Sequence, residues 1–181
     1  MAEDSRVMVT LRPEVPMGAY HGLGYVCVLG VVRALRAAGC DAGIGWPFDI
    51  VDTASGEVLA RVRVQAGYDE GMFATCEVAL PGHLDDAAQA VAAGIEAEVA
   101  AWAEQVRAGR AKAGPLAPVL SDYFDLVPLL GQRVEAVYPN GNVMARGTFA
   151  GIDIWGRATL HTDAGQELEF APEQASIRPC V

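Results

Sequence analysis

The side chains best suited to chemistry form a small charged set in the first half of the chain. Arg61 and Arg63 lie two residues apart in the segment Val58 to Ala66, so a strand places both on one face. Asp49 and Glu77 belong to the neighbouring predicted strands. The two arginines are candidate cations for a small acidic ligand. Alternatively, they are solvated or paired with Glu77 or Asp49.

Other patterns that carry chemistry are weak or missing in this sequence. The three histidines, His21, His83 and His161, have no ligand-like spacing, so we expect no metal site. The four cysteines have no CxxC spacing, and we expect them to be buried or free thiols: Cys27, Cys40, Cys76 and Cys180. The sequence has no nucleophile elbow, phosphate-binding loop or dinucleotide fingerprint. We therefore expect no cofactor of the chain's own.

The segment Gly45-Trp46-Pro47-Phe48-Asp49-Ile50 resembles the Lys-Trp-Pro-Asn-Asp-(Leu/Ile) signature of biotin-protein ligases, with the lysine and the asparagine replaced. The order of the surrounding segments is similar to that family too. An apolar helical stretch precedes the motif, and two strands, a long helix and a small all-β tail follow it. The resemblance implies an α+β fold: a partial class II synthetase or biotin-ligase-like mixed sheet with helices, followed by a small SH3-like β-barrel.

The resemblance covers only the second half of the family's catalytic domain and its C-terminal domain. The family's upstream half, with the Gly-Arg-Gly-Arg-type loop that closes over biotin and adenylate, has no counterpart here. We therefore expect a truncated catalytic-type domain over residues 1-112, a linker with a short helix over 113-131, and the barrel over 132-181.

The resemblance also implies that charged groups of the ligand site have been lost. The family makes biotinyl-adenylate by attack of a carboxylate on the α-phosphate of ATP. Its signature lysine stabilises the negative charge that develops at the reacting centre. Loss of one such contact typically costs on the order of 10²–10³ in rate. Gly45 stands at the lysine position and Phe48 at the asparagine position. The only lysine of the chain is Lys112, far from the motif in the sequence.

The two strands after the motif depart from the family pattern as well. Val58 stands at a second lysine position, Arg61 and Glu77 stand at glycine positions, and Ala79 stands at an asparagine position. A carboxylate at position 77 would repel a phosphate. Trp46, Pro47 and Asp49 are retained, which packing and turn geometry explain as well as ligand binding does. No catalytic residue is assigned, and the predicted remnant of the ligand pocket consists of Gly45, Trp46, Pro47, Phe48, Asp49, Arg61, Arg63 and Glu77.

Three functional interpretations follow from this pattern. In the first, the chain is inactive as a ligase on its own and keeps the scaffold for association or binding. In the second, it is one subunit of a split ligase that needs biotin, ATP and a partner chain carrying the missing loop. In the third, Arg61 and Arg63 form an altered site for a small acidic ligand, which requires an open pocket on their sheet face.

Composition limits the partners and the cellular compartment that we expect for the protein. Of its 181 residues 52% are hydrophobic, and the mean hydropathy is +0.23, which favours a buried interface such as that of a homodimer. The net charge of -10 argues against binding nucleic acid. The longest apolar run, Gly18 to Val32, is shorter than the ~20 residues of a membrane span, and no export signal is present. We therefore expect a cytoplasmic protein.

Hydrophobic periodicity predicts the elements that must position these residues. Helices are predicted at about 19 to 38, 85 to 107 and 123 to 130, and strands at 6 to 12, 44 to 51, 58 to 66, 72 to 80, 133 to 138, 143 to 152, 158 to 162 and 167 to 170. Gly39 is predicted to end the first helix. On the strand Val58 to Ala66, the even positions Val58 to Val64 are predicted to face the helices.

Overall fold

The structure is a computed structural model that describes residues 5–180. It contains two antiparallel sheets and three α-helices. The first part of the chain contains strands β1 (Ser5–Leu11), β2 (Ala42–Gly45), β3 (Asp49–Asp52), β4 (Val58–Tyr68) and β5 (Met72–Leu80), with helices α1 (Leu23–Ala37) and α2 (Ala88–Arg107). The second part contains helix α3 (Leu120–Phe124) and strands β6 (Arg133–Val137), β7 (Val143–Ile152), β8 (Ala158–Thr162), β9 (Glu167–Phe170) and β10 (Ser176–Pro179).

The first sheet has the strand order β1-β5-β4-β3-β2, and every pair in it is antiparallel. The predicted α+β fold class is confirmed, but this sheet is wholly antiparallel and not mixed, because turns of three to five residues join β2 to β3, β3 to β4 and β4 to β5, and parallel neighbours need a longer crossover. One face of the sheet is covered by α1 and α2, and the other face lacks a covering layer among the described residues.

The alternation predicted for β4 is largely confirmed. Ala60 and Val62 are buried against the helices, while Arg61 and Arg63 are exposed on the opposite face. Val58 departs from the prediction, because it is 57% exposed where the strand begins beyond the helices. The face that carries the two arginines is therefore the uncovered one.

The helices form the other layer of this half of the molecule. They approach so closely that a Cβ on Gly30 would lie 2.6 Å from the carbonyl oxygen of Gly94. Gly39 has φ +87° just after α1, as predicted for the end of that helix. Each of these two helices is preceded by a 3-10 turn, at Met17–Gly22 and Gly82–Ala87, which includes the first residues of the helices predicted from about 19 and from 85.

The apolar helical segment is longer than the apolar run Gly18 to Val32 that the sequence shows. Met17–Ala37 spans 21 residues, which is long and apolar enough to cross a membrane by length and composition alone. In the fold, however, 72% of its most apolar stretch is buried inside the protein. It is the central core helix, so its hydrophobicity is explained by packing.

Residues 44 to 51 do not form the single strand that the sequence predicts. β2 ends at Gly45 and β3 begins at Asp49, and a turn through Trp46, Pro47 and Phe48 joins them. The peptide bond between Trp46 and Pro47 is cis. The signature-like motif is therefore the tip of a hairpin.

The predicted linker is packed into the protein. Leu116, Val119 and Leu126 are buried, and the backbone N–H of Ile44 in β2 donates to the carbonyl of Leu126 at 2.7 Å. The short helix is shifted from the predicted 123 to 130 and spans Leu120–Phe124, because Pro128 follows soon after.

The second sheet has the order β10-β6-β7-β8-β9. Four of its strands agree with the predicted ones to within a residue, and β10 was not predicted. Since β9 and β10 are the two ends of the order, the sheet does not close into a full barrel. Glu135 of β6 is buried and bonds Arg146 of β7 and Arg178 of β10, which ties three strands together.

One apolar core runs through both sheets. The carbonyl oxygen of Gly156, in the turn between β7 and β8, accepts hydrogen bonds from the Tyr25 hydroxyl at 2.8 Å and from Trp46 Nε1 at 3.0 Å. Both donors belong to the first half of the chain. These hydrogen bonds attach the C-terminal β-sheet to the motif hairpin. The domain boundaries at 112 and 131 stay predictions.

Candidate functional site

The eight predicted pocket residues separate into two sets that face opposite sides of the first sheet. Trp46, Pro47 and Phe48 form the hairpin tip, which packs toward α1 and the tail. The other five lie on the uncovered face of the sheet and consist of Gly45, Asp49, Arg61, Arg63 and Glu77.

The hairpin tip is built into the core. Trp46 is only 2% exposed, and its ring also packs near Phe170 of β9 with the centroids 6.5 Å apart. The ring of Phe48 packs edge-on against the ring of Tyr25, with the ring centroids 4.9 Å apart. The carbonyl of Pro47 accepts a hydrogen bond from the Tyr123 hydroxyl at 3.2 Å. These contacts give the retained Trp-Pro step a packing role.

Burial of the aromatic hydroxyl groups around this tip removes them from acid-base chemistry at neutral pH. The pKa values of Tyr25 and Tyr123 are raised, in both cases first because burial disfavours the phenolate. The thiol of Cys27 likewise has a raised pKa, because it is hydrogen-bonded to Cys76 and buried. All four cysteines are free, as predicted.

The strand register determines how the five residues on the uncovered face are arranged. Gly45 lies opposite Asp49, and Asp49 lies opposite Arg61. Two residues further along β4, Arg63 lies opposite Glu77 of β5. Since directly opposed residues share a face, the five predicted residues form one diagonal row across four strands.

Ion pairs occupy much of this row. Arg61 Nε donates to Asp49 Oδ1 at 2.5 Å, and Arg61 Nη2 donates to Asp49 Oδ2 at 3.1 Å. This pairing raises the pKa of the Arg61 guanidinium. Arg6 of β1, which the sequence did not single out, lies 3.3 Å from Glu77. The pairing of Arg61 with Asp49 is one of the two alternatives that the sequence left open.

A shallow groove of about 230 Å³ remains on this face. It is lined by Arg6, Arg61, Arg63, Glu77 and Ala79. Pockets for drug-sized ligands usually enclose about 300–1,000 Å³. Two of the three arginines are already paired with carboxylates, so the groove offers one guanidinium, that of Arg63, without a carboxylate partner among the described residues.

Gly45 lies in a space that leaves little room for a side chain. A Cβ at this position would lie 2.9 Å from Val51 Cγ1 and 3.2 Å from Asp49 Cβ. Contacts below 3.0 Å require a neighbour to move. Side chains of β3 therefore narrow the space that a side chain at position 45 would need.

A second groove, of about 350 Å³, begins beside Gly45 and Asp49 and runs between the β3–β4 turn and β10. Its walls include Val51, Pro128 and Ile177. Sequence reasoning could not find it, because one wall belongs to a strand that was not predicted. Among residues 5–180, no three histidine, cysteine, aspartate or glutamate side chains form a cluster that could hold a metal ion.

Comparison with known proteins gives a match in structure only. No protein-family model and no curated protein sequence matches this chain. The biotin protein ligase from Aquifex aeolicus in complex with biotin and ATP is similar over 98% of this chain and 79% of that chain, with 14% identity and a TM-score of 0.69. A biotin protein ligase-like protein of unknown function from Silicibacter sp. TM1040 is similar over 96% of this chain and 80% of that one, with 20% identity and a TM-score of 0.63.

At these identities the similarity establishes the fold. The chain has a biotin-protein-ligase-like fold, as the motif and the order of elements predicted. The truncation inferred from the sequence stays a prediction.

Proposed function

We propose that this chain keeps the biotin-ligase fold as a scaffold for association and does not form biotinyl-adenylate on its own. The observation that carries the proposal is the state of the open sheet face. Gly45 replaces the signature lysine, Val51 crowds the space where a side chain would start, and Arg61 is bonded to Asp49. On this account the chain is a pseudoenzyme, acts in the cytoplasm and assembles as a homodimer.

The electrostatics of the face support the loss of catalysis. Adenylate formation gathers negative charge, and a preorganised cation is worth on the order of 10²–10³ in rate. Here the guanidinium of Arg61 is held by a carboxylate, and Glu77 adds a second negative group to the same face. A phosphate approaching this row would meet one guanidinium without a carboxylate partner among the described residues, that of Arg63, and would have to break an ion pair to gain a second cation.

An activity assay tests the proposal. The purified chain is incubated with biotin, Mg-ATP and a biotin carrier domain, and pyrophosphate release and carrier biotinylation are measured beside a competent biotin protein ligase. The expected result is no turnover above the rate without enzyme. Turnover by the isolated chain would refute the proposal.

The split-ligase alternative is favoured by one feature: the outer edge of β1 has no hydrogen-bonded strand among residues 5–180, so a further strand could add to the sheet there. It requires biotin, ATP and a second chain with a Gly-Arg-Gly-Arg-type loop. Co-expression with such a chain, followed by the same biotinylation assay, would restore turnover under this alternative. No turnover in the purified complex argues against it.

The altered-ligand alternative rests on the groove beside Arg63. It predicts that inorganic phosphate or a small dicarboxylate binds and that Arg63→Gln abolishes the binding. The ion pairs of Arg61 and Arg6 with their carboxylates weigh against it. Calorimetric titration of the wild type and of Arg63→Gln with both anions tests this alternative, and no binding by the wild type would contradict it.

A further inference from the structure

A groove of about 590 Å³ lies where α1 and the motif hairpin meet the C-terminal sheet. Its lining includes three aromatic side chains, an imidazole, a guanidinium and one turn: Tyr25, Phe48, Trp155, His21, Arg157 and residues 171–173. Pockets that hold small ligands usually enclose about 300–1,000 Å³. This aromatic groove shares no residue with the groove beside Arg63, so it is separate from the sheet face considered above.

The indole of Trp155 is presented to solvent by a rigid turn. Trp155 is 50% exposed, whereas tryptophan is highly buried on average. Its backbone N–H donates to Asp153 Oδ1 at 2.8 Å, and the same oxygen accepts the N–H of Arg157 at 2.9 Å. Gly156 has φ +87°, and a Cβ there would overlap the ring of Tyr25, so the turn is pressed against the groove wall. The exposure of the indole is therefore built into the fold.

The carboxylate of Glu173 lies on a second ordered turn. The backbone N–H of Gln174 donates to the carbonyl of Ala171 at 3.0 Å, and the N–H of Ala171 donates to Gln174 Oε1 at 2.8 Å. Pro172 fixes the backbone between them. Glu173 is exposed and has no ion-pair partner among residues 5–180. Its negative charge is therefore available to a ligand in the groove.

The guanidinium in the groove is already neutralised. Arg157 lies 2.6 Å from Asp153 Oδ2 and 3.3 Å from Glu169 Oε2. Together with Glu173, three carboxylates surround one guanidinium at this end of the tail. A cationic ligand is therefore favoured over an anionic one.

We propose that the aromatic groove binds a quaternary ammonium group. Its methyl groups contact the rings of Trp155 and Phe48, and Glu173 offsets its charge. A cation within about 6 Å of an aromatic ring centre is attracted by the negative face of the ring, and tryptophan provides the strongest such attraction. A primary ammonium is less suited, because it is strongly hydrated and gains little from apolar contact. The proposal goes beyond the scaffold function and does not depend on it.

Trp155 also borders a second groove, of about 280 Å³, which includes Lys112 and Pro115 in its lining. The ammonium group of Lys112 repels a cation, so the ligand occupies the aromatic groove and not this one. Lys112→Gln should accordingly leave the binding unchanged.

Two measurements with choline as the probe test the site. Calorimetric titration should give a dissociation constant in the millimolar range or tighter. The uncharged carbon analogue of choline, in which a tert-butyl group replaces the trimethylammonium group, should bind at least about tenfold more weakly. Trp46 and Trp102 are 2% and 1% exposed, so acrylamide quenching of the fluorescence reports mainly on Trp155. Choline should protect Trp155 from quenching, and its carbon analogue at the same concentration should not.

Substitutions with matched controls assign the binding to the groove. Trp155→Leu should weaken choline binding at least about tenfold, and Glu173→Gln should weaken it about threefold. Tyr138 is 45% exposed outside the groove and Glu57 is exposed elsewhere, so Tyr138→Leu and Glu57→Gln should bind choline like the wild type. Thermal denaturation checks that each variant is folded. Trp155→Phe, which keeps an aromatic face, replaces Trp155→Leu if that variant unfolds, and should weaken binding less.

A peptide that carries trimethyllysine, titrated in the same way, distinguishes the two sources of the ammonium group. Tighter binding of the peptide than of choline identifies a modified protein as the ligand, and weaker or equal binding identifies a free small molecule.

Three results would overturn the inference: no choline binding at millimolar concentration, equal binding of choline and its carbon analogue, or equal weakening by the groove substitutions and their controls. Failure of the proposed function is seen separately, as turnover in the biotinylation assay, and that result would leave the ammonium site untouched.

Discussion

The shared carbonyl of Gly156 predicts a specific coupling between Tyr25 and Trp46. Both side chains donate to this one buried oxygen, the hydroxyl at 2.8 Å and the indole N–H at 3.0 Å. Replacing either donor alone leaves the oxygen with a partner. Replacing both leaves it buried and unpaired.

The magnitudes follow from the cost of hydrogen bonds in proteins. Tyr25→Phe removes one bond and should lower the free energy of unfolding by about 0.5–1.5 kcal/mol. Trp46→Phe removes one bond and part of a buried ring. The double variant adds the penalty for an unsatisfied buried carbonyl, so its loss should exceed the sum of the single losses by about 1–2 kcal/mol.

Urea denaturation of the wild type, the two single variants and the double variant gives this coupling energy. Trp102 supplies a matched control, because it is also buried and donates its indole N–H to a different acceptor, the carbonyl of Pro115, at 2.8 Å. A cycle of Tyr25→Phe with Trp102→Phe should therefore be additive within about 0.5 kcal/mol. Additivity of the Tyr25 and Trp46 losses would refute the shared-acceptor reasoning.

Three further predictions concern the open face, acid stability and the tail. Gly45→Lys should lower the free energy of unfolding by about 1–3 kcal/mol, because its Cβ would crowd Val51. In urea denaturation, Val51→Ala in the same chain should recover part of the loss. A Gly45→Lys variant as stable as the wild type would contradict the crowding at Val51. A hydrogen bond from Arg12 lowers the pKa of Asp69 to about 2 from a reference of 3.8, so its contribution is present above pH 3.8 and lost as the pH falls toward 2. The stability difference between wild type and Asp69→Asn should accordingly shrink over that window, and a constant difference would count against the pairing. Glu135→Gln should lower the Tm, since the carboxylate is 6% exposed between two arginines, whereas the exposed Glu167→Gln should leave the Tm unchanged in the same thermal scan.

Strong periodicity made much of the fold predictable. The alternation of β4 and the three-and-four spacing of α2 are local signals, and both elements were found at nearly the predicted bounds. β10 gave no such signal, because its four residues end in a proline and its pairing with β6 is set by tertiary contact. The turn at Trp46 to Phe48 was hidden because it interrupts an otherwise apolar, strand-like run.

The list of candidate site residues stays a prediction, and the sequence predicted their arrangement only in part. Strand parity correctly placed Arg61 and Arg63 on one face, and the pairing of Arg61 with Asp49 was among the alternatives. Sequence alone could not assign Trp46 to the core or add Arg6 to the charged row, because both depend on register across the sheet and on the docked tail. Parity fixes which side a residue faces, whereas the partner it meets is decided by long-range packing.

The central proposal, that the sheet face carrying Arg61 and Arg63 does not hold an adenylate, is tested most directly by calorimetric titration. The purified chain is titrated with a non-hydrolysable biotinyl-adenylate analogue, beside a competent biotin protein ligase as positive control. The account predicts no detectable binding heat from this chain and tight binding by the control. Binding at micromolar affinity or better would contradict it, because the pocket would then persist despite Gly45 and the Arg61–Asp49 ion pair.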